Sequence, residues 1–215
     1  LREMLLANLI FAYLGIRDIV NANKYIELYA EYRYSCYELF ERLSSKLEQL
    51  LAMAKEKIAQ RKQDAILIYL LDGFNEKMAE QTTYIKSFLE NAHNFNRAFT
   101  QYAFTTSTLQ VMFTGKDLVD EGGCEITSFD AENSPLINAI VTSGYKLECF
   151  LKWRADLFNT QNDAAYVIMS ETISVGLWQM VTRLAMNDCK SVFYAHFMES
   201  HTPIENGFIN CQNPI

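Results

Sequence analysis

The sequence predicts an α/β fold: a three-layer α/β/α sandwich around a mainly parallel sheet, preceded by a helical segment over residues 1–62. Two observations carry this expectation. Short continuous apolar runs, AILIYLL at 65–71 and SVFYAHFM at 191–198, have the length and composition of buried strands. Stretches with apolar residues at helical spacing lie between such runs, and this alternation builds parallel βαβ units.

Leu1 to about Lys62 reads as helix: Tyr25, Leu28, Tyr29 and Tyr32 fall at helical spacing, as do Leu39, Phe40, Leu43, Leu47, Leu50 and Leu51. Ser44-Ser45 is a candidate break in that run. Met4 to Ile16 is apolar but interrupted by Asn8, and it is shorter than the roughly 20 residues of a membrane span. It reads as a buried helix, or as the tail of a membrane helix that lies mostly upstream. Residues 1–62 are accordingly either a helical appendage or a bridge from an upstream membrane part to a domain over 63–215.

Ala65 to Leu71 predicts a central strand buried on both faces. Glu76 to Asn91 shows helical spacing, and Phe95 to Tyr102 is a candidate short strand. Thr105 to Phe113 predicts a helix whose opening hydroxyls can cap it and whose end is marked by Gly115. Asp117 to Asn133 reads as an acidic loop, Pro135 to Ser143 as a helix closed by Gly144, and Tyr145 to Leu151 as a strand. Ala164 to Met186 reads as one long helix or two, and Ser191 to Met198 as a buried strand.

Composition narrows the function classes. With 215 residues and 50% hydrophobic content, the chain can bury one sizeable core. A duplex nucleic-acid binder normally shows a basic face, so a formal charge of -7 argues against a duplex nucleic-acid partner, although Lys55 to Lys62 is polar and basic. The first residue is Leu1, which predicts a chain that begins inside a longer protein or after processing; no signal peptide is visible. Five cysteines form no C-x-x-C pair, so neither a zinc ribbon nor a thioredoxin-like site is indicated, and they read mostly as small buried hydrophobes.

Three positions can carry chemistry. Asp72 comes just after a strand, where a carboxylate either caps a turn or ligates a divalent cation. Thr105-Thr106-Ser107-Thr108 precedes an apolar helix, so the hydroxyls are either caps or a nucleophile beside a helix N-terminus that favours a phosphate. His201, in HFMESHTP, lies past the last strand in a loop stiffened by Pro203. Ligands of such sheets bind beyond the carboxyl ends of the strands, where Asp72 and His201 both fall.

Four blocks carry a family resemblance: AILIYLLDGF, YIKSFLENAHNFNRAFTQYAFTTSTLQVMFTGK, SGYKLECFLKW and SVFYAHFMESHTP. Their order and spacing resemble the sulfatase and phosphoethanolamine transferase branch of the alkaline phosphatase superfamily, from about Ala65 to Pro203. Counting back from Thr114-Gly115-Lys116 places that family's nucleophile on Thr105, with Thr106 the fallback one residue on. Sulfatases carry Cys or Ser there, with Pro and Arg two and four positions on; this chain has Ser107 and Leu109 at those places, and TTSTLQVMFT is closer to the transferases that use an unmodified threonine.

The resemblance implies a metal-dependent phospho-group transferase or hydrolase, of phosphoethanolamine or phosphoglycerol type, with Thr105 as nucleophile and Asp72 as metal ligand. Thr105 itself would also touch the metal. His201 would contact the transferred group or its leaving group, His196 would contact substrate, and Lys152 would be an anion contact from the K-W segment. The metal would be zinc or manganese. The family's later D-H or D-N motif is absent, so further ligands are expected beyond Ile215, and the chain reads as the N-terminal half of such a domain. The implied substrate is a small-molecule or lipid phosphodiester, with no nucleic acid, at a membrane-associated or extracytoplasmic location. A sulfatase-like hydrolase and a non-catalytic interaction module are the alternatives.

Overall fold

The structure, a computed structural model, describes residues 1–93, 95, 98–102, 104–117, 119, 129, 132–152, 155–158, 165–169 and 172–198. Among them the chain combines helices with a four-stranded, wholly parallel sheet, a mixed α/β fold.

Three helices open the chain: α1 (Arg2–Gly15), α2 (Ile19–Glu31) and α3 (Tyr37–Ala59). The breaks fall elsewhere than at Ser44-Ser45, which lies inside the continuous α3. They fall after α1 and α2, where Arg17 and Arg33 turn the chain at φ 63° and 47°. Left-handed turns usually announce themselves by glycine, so two arginines there hide both boundaries. Asp18 then caps α2 by accepting from the Asn21 amide at 3.1 Å. Leu6, Ile10, Ile26, Tyr29, Phe40 and Leu47 form the shared core of the three helices. Of α1 only Leu6 and Ile10 are buried, while Met4, Leu5 and Phe11 are exposed. No described helix is long and apolar enough to cross a membrane.

Arg61 fastens this helical segment to the sheet domain. Its guanidinium donates to the carbonyls of Leu184, Asn187 and Cys189, and the Asp188 carboxylate accepts from the amides of Lys62 and Gln63 at 3.1 and 3.0 Å. The acceptors belong to the end of helix α8 (Ile173–Met186) and the turn after it. α2 and α3 lie against α8.

The strands are β1 (Ala65–Leu71), β2 (Lys146–Leu151), β3 (Ala165–Met169) and β4 (Ser191–Phe197), in the order β1-β4-β2-β3. β1 and β4 pair from Ala65↔Ser191 to Leu71↔Phe197, as their matching apolar runs lead one to expect. Two expectations fail. β1 is an edge strand with Ile66, Leu67 and Tyr69 exposed at 48%, 43% and 46%, and the fully buried central strand is β4. An apolar run shows that a strand can be covered on both faces; strand order decides whether it is. Residues 165–169 form β3 rather than helix, because AYVIM is too short and too β-prone for the helical reading to hold.

Short helices come after β1: α4 (Glu76–Gln81), capped by Asn75, and α5 (Thr83–Leu89). The described residues of 95–102 contain no strand, so that expectation also fails. α6 (Thr105–Thr114) and α7 (Pro135–Thr142) cover one sheet face through Leu109, Phe113, Ile137 and Ile140, which meet Leu147, Cys149, Val192 and Tyr194. α8 covers the other face through Met180 and Leu184, which meet Phe150, Phe193, Ala195 and Phe197. Of the described cysteines, Cys149 is buried, Cys189 half-buried and Cys36 exposed, so the expectation of buried cysteines holds for one of them.

Candidate functional site

Asp72 extends the sheet by one step beyond β1: its amide donates to the Phe197 carbonyl at 3.0 Å. The next residue, Gly73, sits at φ 73°, so the chain turns at once toward α4 and leaves the Asp72 carboxylate at the carboxyl end of the sheet. α6 begins at that same end. Its N-cap residue is Phe104, in extended conformation and with no side-chain acceptor to offer, so the expected hydroxyl cap is not formed. Gly115 does close the helix in the left-handed conformation, its amide bonding Val111.

The four hydroxyls have separate surroundings. Thr105 Oγ1 donates to Asp72 Oδ2 at 2.8 Å. Thr106 and Ser107 are buried against the domain. Thr108 Oγ1 lies 3.0 Å from the Phe104 carbonyl and 2.8 Å from Thr100 Oγ1, bracing the approach to the helix. The expected nucleophile is therefore the hydroxyl that meets Asp72, and the fallback Thr106 is buried.

His196 sits on β4 beside Leu70 of β1 and Leu151 of β2. Its Nε2 is 3.3 Å from the same Asp72 Oδ2. The imidazole is 1% exposed and the Asp72 side chain 18%, so His196 lies beneath the carboxylate while Asp72 and Thr105 form the accessible layer. One carboxylate oxygen thus receives a hydroxyl from α6 and faces an imidazole from the sheet. The strand spacing explains the meeting: β1 and β4 are neighbours in register, and Asp72 and His196 flank the last paired rung, Leu71↔Phe197.

Two residues below on the same face, Tyr194 is fully buried between Phe113 and Phe158, and its hydroxyl has no hydrogen-bond partner among the described residues. Burial pushes that phenol far up from its ordinary range, with Cys149 and Asp72 adding to the effect. Nothing in the sequence singles this tyrosine out, since an aromatic in a buried strand reads as core.

Lys152 comes directly after β2 and is half-buried at the same carboxyl end of the sheet. His201 lies outside the described residues. Asp72, His196 and Thr105 offer oxygen, nitrogen and oxygen donors, but no group of three His, Cys, Asp or Glu gathers among the described residues. A zinc site takes three or more protein side chains, so the described donors do not by themselves make one. The chain matches no family model, no curated protein and no solved structure.

Proposed function

We propose that this chain carries the nucleophile-bearing part of a metal-dependent phospho-group transferase or hydrolase, of phosphoethanolamine or phosphoglycerol type, on a three-layer α/β/α sandwich. The observation that carries the reading is the 2.8 Å hydrogen bond from Thr105 Oγ1 to Asp72 Oδ2 in the first turn of α6.

The chemistry is that of the protein groups. Thr105 Oγ attacks the phosphorus of a phosphodiester, its proton passes to Asp72 Oδ2, and the bond to the leaving alcohol breaks on the opposite side. The N-terminus of α6 faces the non-bridging oxygens, whose charge it favours. His196 fixes the Asp72 carboxylate from below. An acceptor hydroxyl or water, its proton passing to His201, then attacks the phosphothreonine in line, and the Thr105 oxygen leaves and takes back its proton from Asp72 Oδ2. His201 and Lys152 keep the roles implied by resemblance, protonation of the leaving group and contact with the anion. A zinc or manganese ion held in part by Asp72 and Thr105 would lower the hydroxyl's pKa; its remaining ligands belong outside the described residues.

The test is covalent capture. The chain is incubated with bis(p-nitrophenyl) phosphate in zinc or manganese, and the protein is mapped by mass spectrometry. A nitrophenyl phosphoryl group on Thr105, lost in Thr105→Ala and kept in Thr106→Ala, is the expected result. No label on Thr105 in either metal refutes the proposal. A non-catalytic interaction module is the second reading, because β1 is an edge strand among the described residues and exposes Ile66, Leu67 and Tyr69; covalent turnover would remove it.

A further inference from the structure

A cavity of about 530 Å³ lies between α3 and α8, on the α8 side of the sheet and apart from Thr105. Its volume falls within the roughly 300–1,000 Å³ of ligand-binding cavities. Arg17, Lys57 and Arg183 project into its lining from three elements of the fold, and no Asp or Glu is among the described lining residues. The chain as a whole carries -7, so this is a local reversal of sign. Arg183 already lies 3.6 Å from the buried Glu148 carboxylate, whereas the side chains of Arg17 and Lys57 have no ion-pair or hydrogen-bond partner among the described residues.

The remaining walls are mostly apolar. Leu50, Met53, Ile168, Met186 and Trp178 supply them, and Gln179 and Thr182 are the uncharged polar side chains. A sugar, nucleotide or peptide would bring more polar groups than such walls can satisfy, at a cost for each one left unpaired. Long unbranched methionines adapt to a flexible chain. The ligand that fits has one anionic head and no other polar group.

We propose that this cavity binds a single-chain fatty carboxylate, its head between Arg17 and Lys57 and its chain along Met53, Trp178 and Met186. The proposal is independent of the Thr105 reading: it uses none of that site's residues.

The test uses the full chain and dodecanoate below its micellar concentration, read by titration calorimetry and by the fluorescence of Trp178. One dodecanoate per chain should bind saturably and perturb Trp178. Acetate, which lacks the chain, and dodecanol, which lacks the charge, should each bind at least about tenfold more weakly. Lys57→Gln and Arg17→Gln, both at exposed side chains, should each weaken binding by up to about fivefold. Met53→Glu, at a residue 60% exposed, should abolish binding while circular dichroism is unchanged. The proposal is overturned by any of four outcomes: no saturable binding, equal affinity for dodecanol, affinity unchanged in both Lys57→Gln and Met53→Glu, or much tighter binding of dodecyl phosphate.

Discussion

The contact between Thr105 and Asp72 can be weighed by a double-mutant cycle on stability. Thr105 Oγ1 donates to Asp72 Oδ2 at 2.8 Å, and the carboxylate is only 18% exposed. A hydrogen bond to a charged group contributes about 1.5–3 kcal/mol, and the partial exposure argues for the lower half, about 1.5–2 kcal/mol. Thr105→Val keeps the side-chain shape and removes the donor, so it should cost about that much. Asp72→Ala removes the same bond and also the carboxylate that lies 3.3 Å from His196 Nε2, whose ring is 1% exposed. Loss of that contact from a buried ring adds about 1–3 kcal/mol, so Asp72→Ala should cost about 2.5–5 kcal/mol. The double variant should then fall short of the sum by about 1.5–2 kcal/mol, read from urea unfolding midpoints at constant slope. Asp72→Asn, which retains a carbonyl acceptor for Thr105, should lie between. If the two changes add to within about 0.5 kcal/mol, the hydroxyl and carboxylate are not coupled and the site loses its central contact.

Tyr194→Phe removes a buried hydroxyl that has no partner among the described residues, so urea unfolding should show unchanged or higher stability, by up to about 1–2 kcal/mol; a loss above about 1 kcal/mol would reveal a partner such as an ordered water. Glu148 is buried on the α8 face, and that burial raises its pKa above the ordinary 4.5 although Arg183 opposes the shift. As pH rises from 4.5 through the raised value, the unfolded chain gives up this proton first, so folding stability falls across that window. Glu148→Gln should therefore gain on the wild type as pH rises from about 4 to about 7, and a difference that stays flat with pH would contradict the burial effect.

Much of the fold was legible, and what was missed has local causes. Helix α7 announces itself by Pro135 at its start and Gly144, at φ 77°, beyond its end. The boundaries of α1 and α2 do not, because arginines occupy the left-handed positions. The relative placing of strands is harder still. AILIYLL is the more uniformly apolar run, yet it takes the edge, while SVFYAHF takes the centre with a histidine inside it. Burial of a strand depends on which neighbours and helices flank it, and these are non-local. Nor does β1 carry the lysine, proline or bulge that usually protects an edge, so its sequence holds no sign of its position.

The site shows the same division between what a chain says locally and what folding adds. TTST offers four hydroxyls in a row, and each residue along a helix turns by about 100°, so no two neighbours can face one carboxylate. Their azimuths give Thr105 to Asp72, bury Thr106 and Ser107, and return Thr108 to the Phe104 carbonyl. Asp72 and His196 are 124 positions apart, and only the adjacency of β1 and β4 brings them within 3.3 Å. The polar residue in the middle of the sheet is in keeping with that arrangement: an imidazole buried in an apolar strand would be costly alone, and the Asp72 carboxylate lies within 3.3 Å of its Nε2. His196 is thus better understood as part of the support under the Asp72–Thr105 pair than as a surface contact for substrate, and this support reaches the site from a strand buried along its whole length.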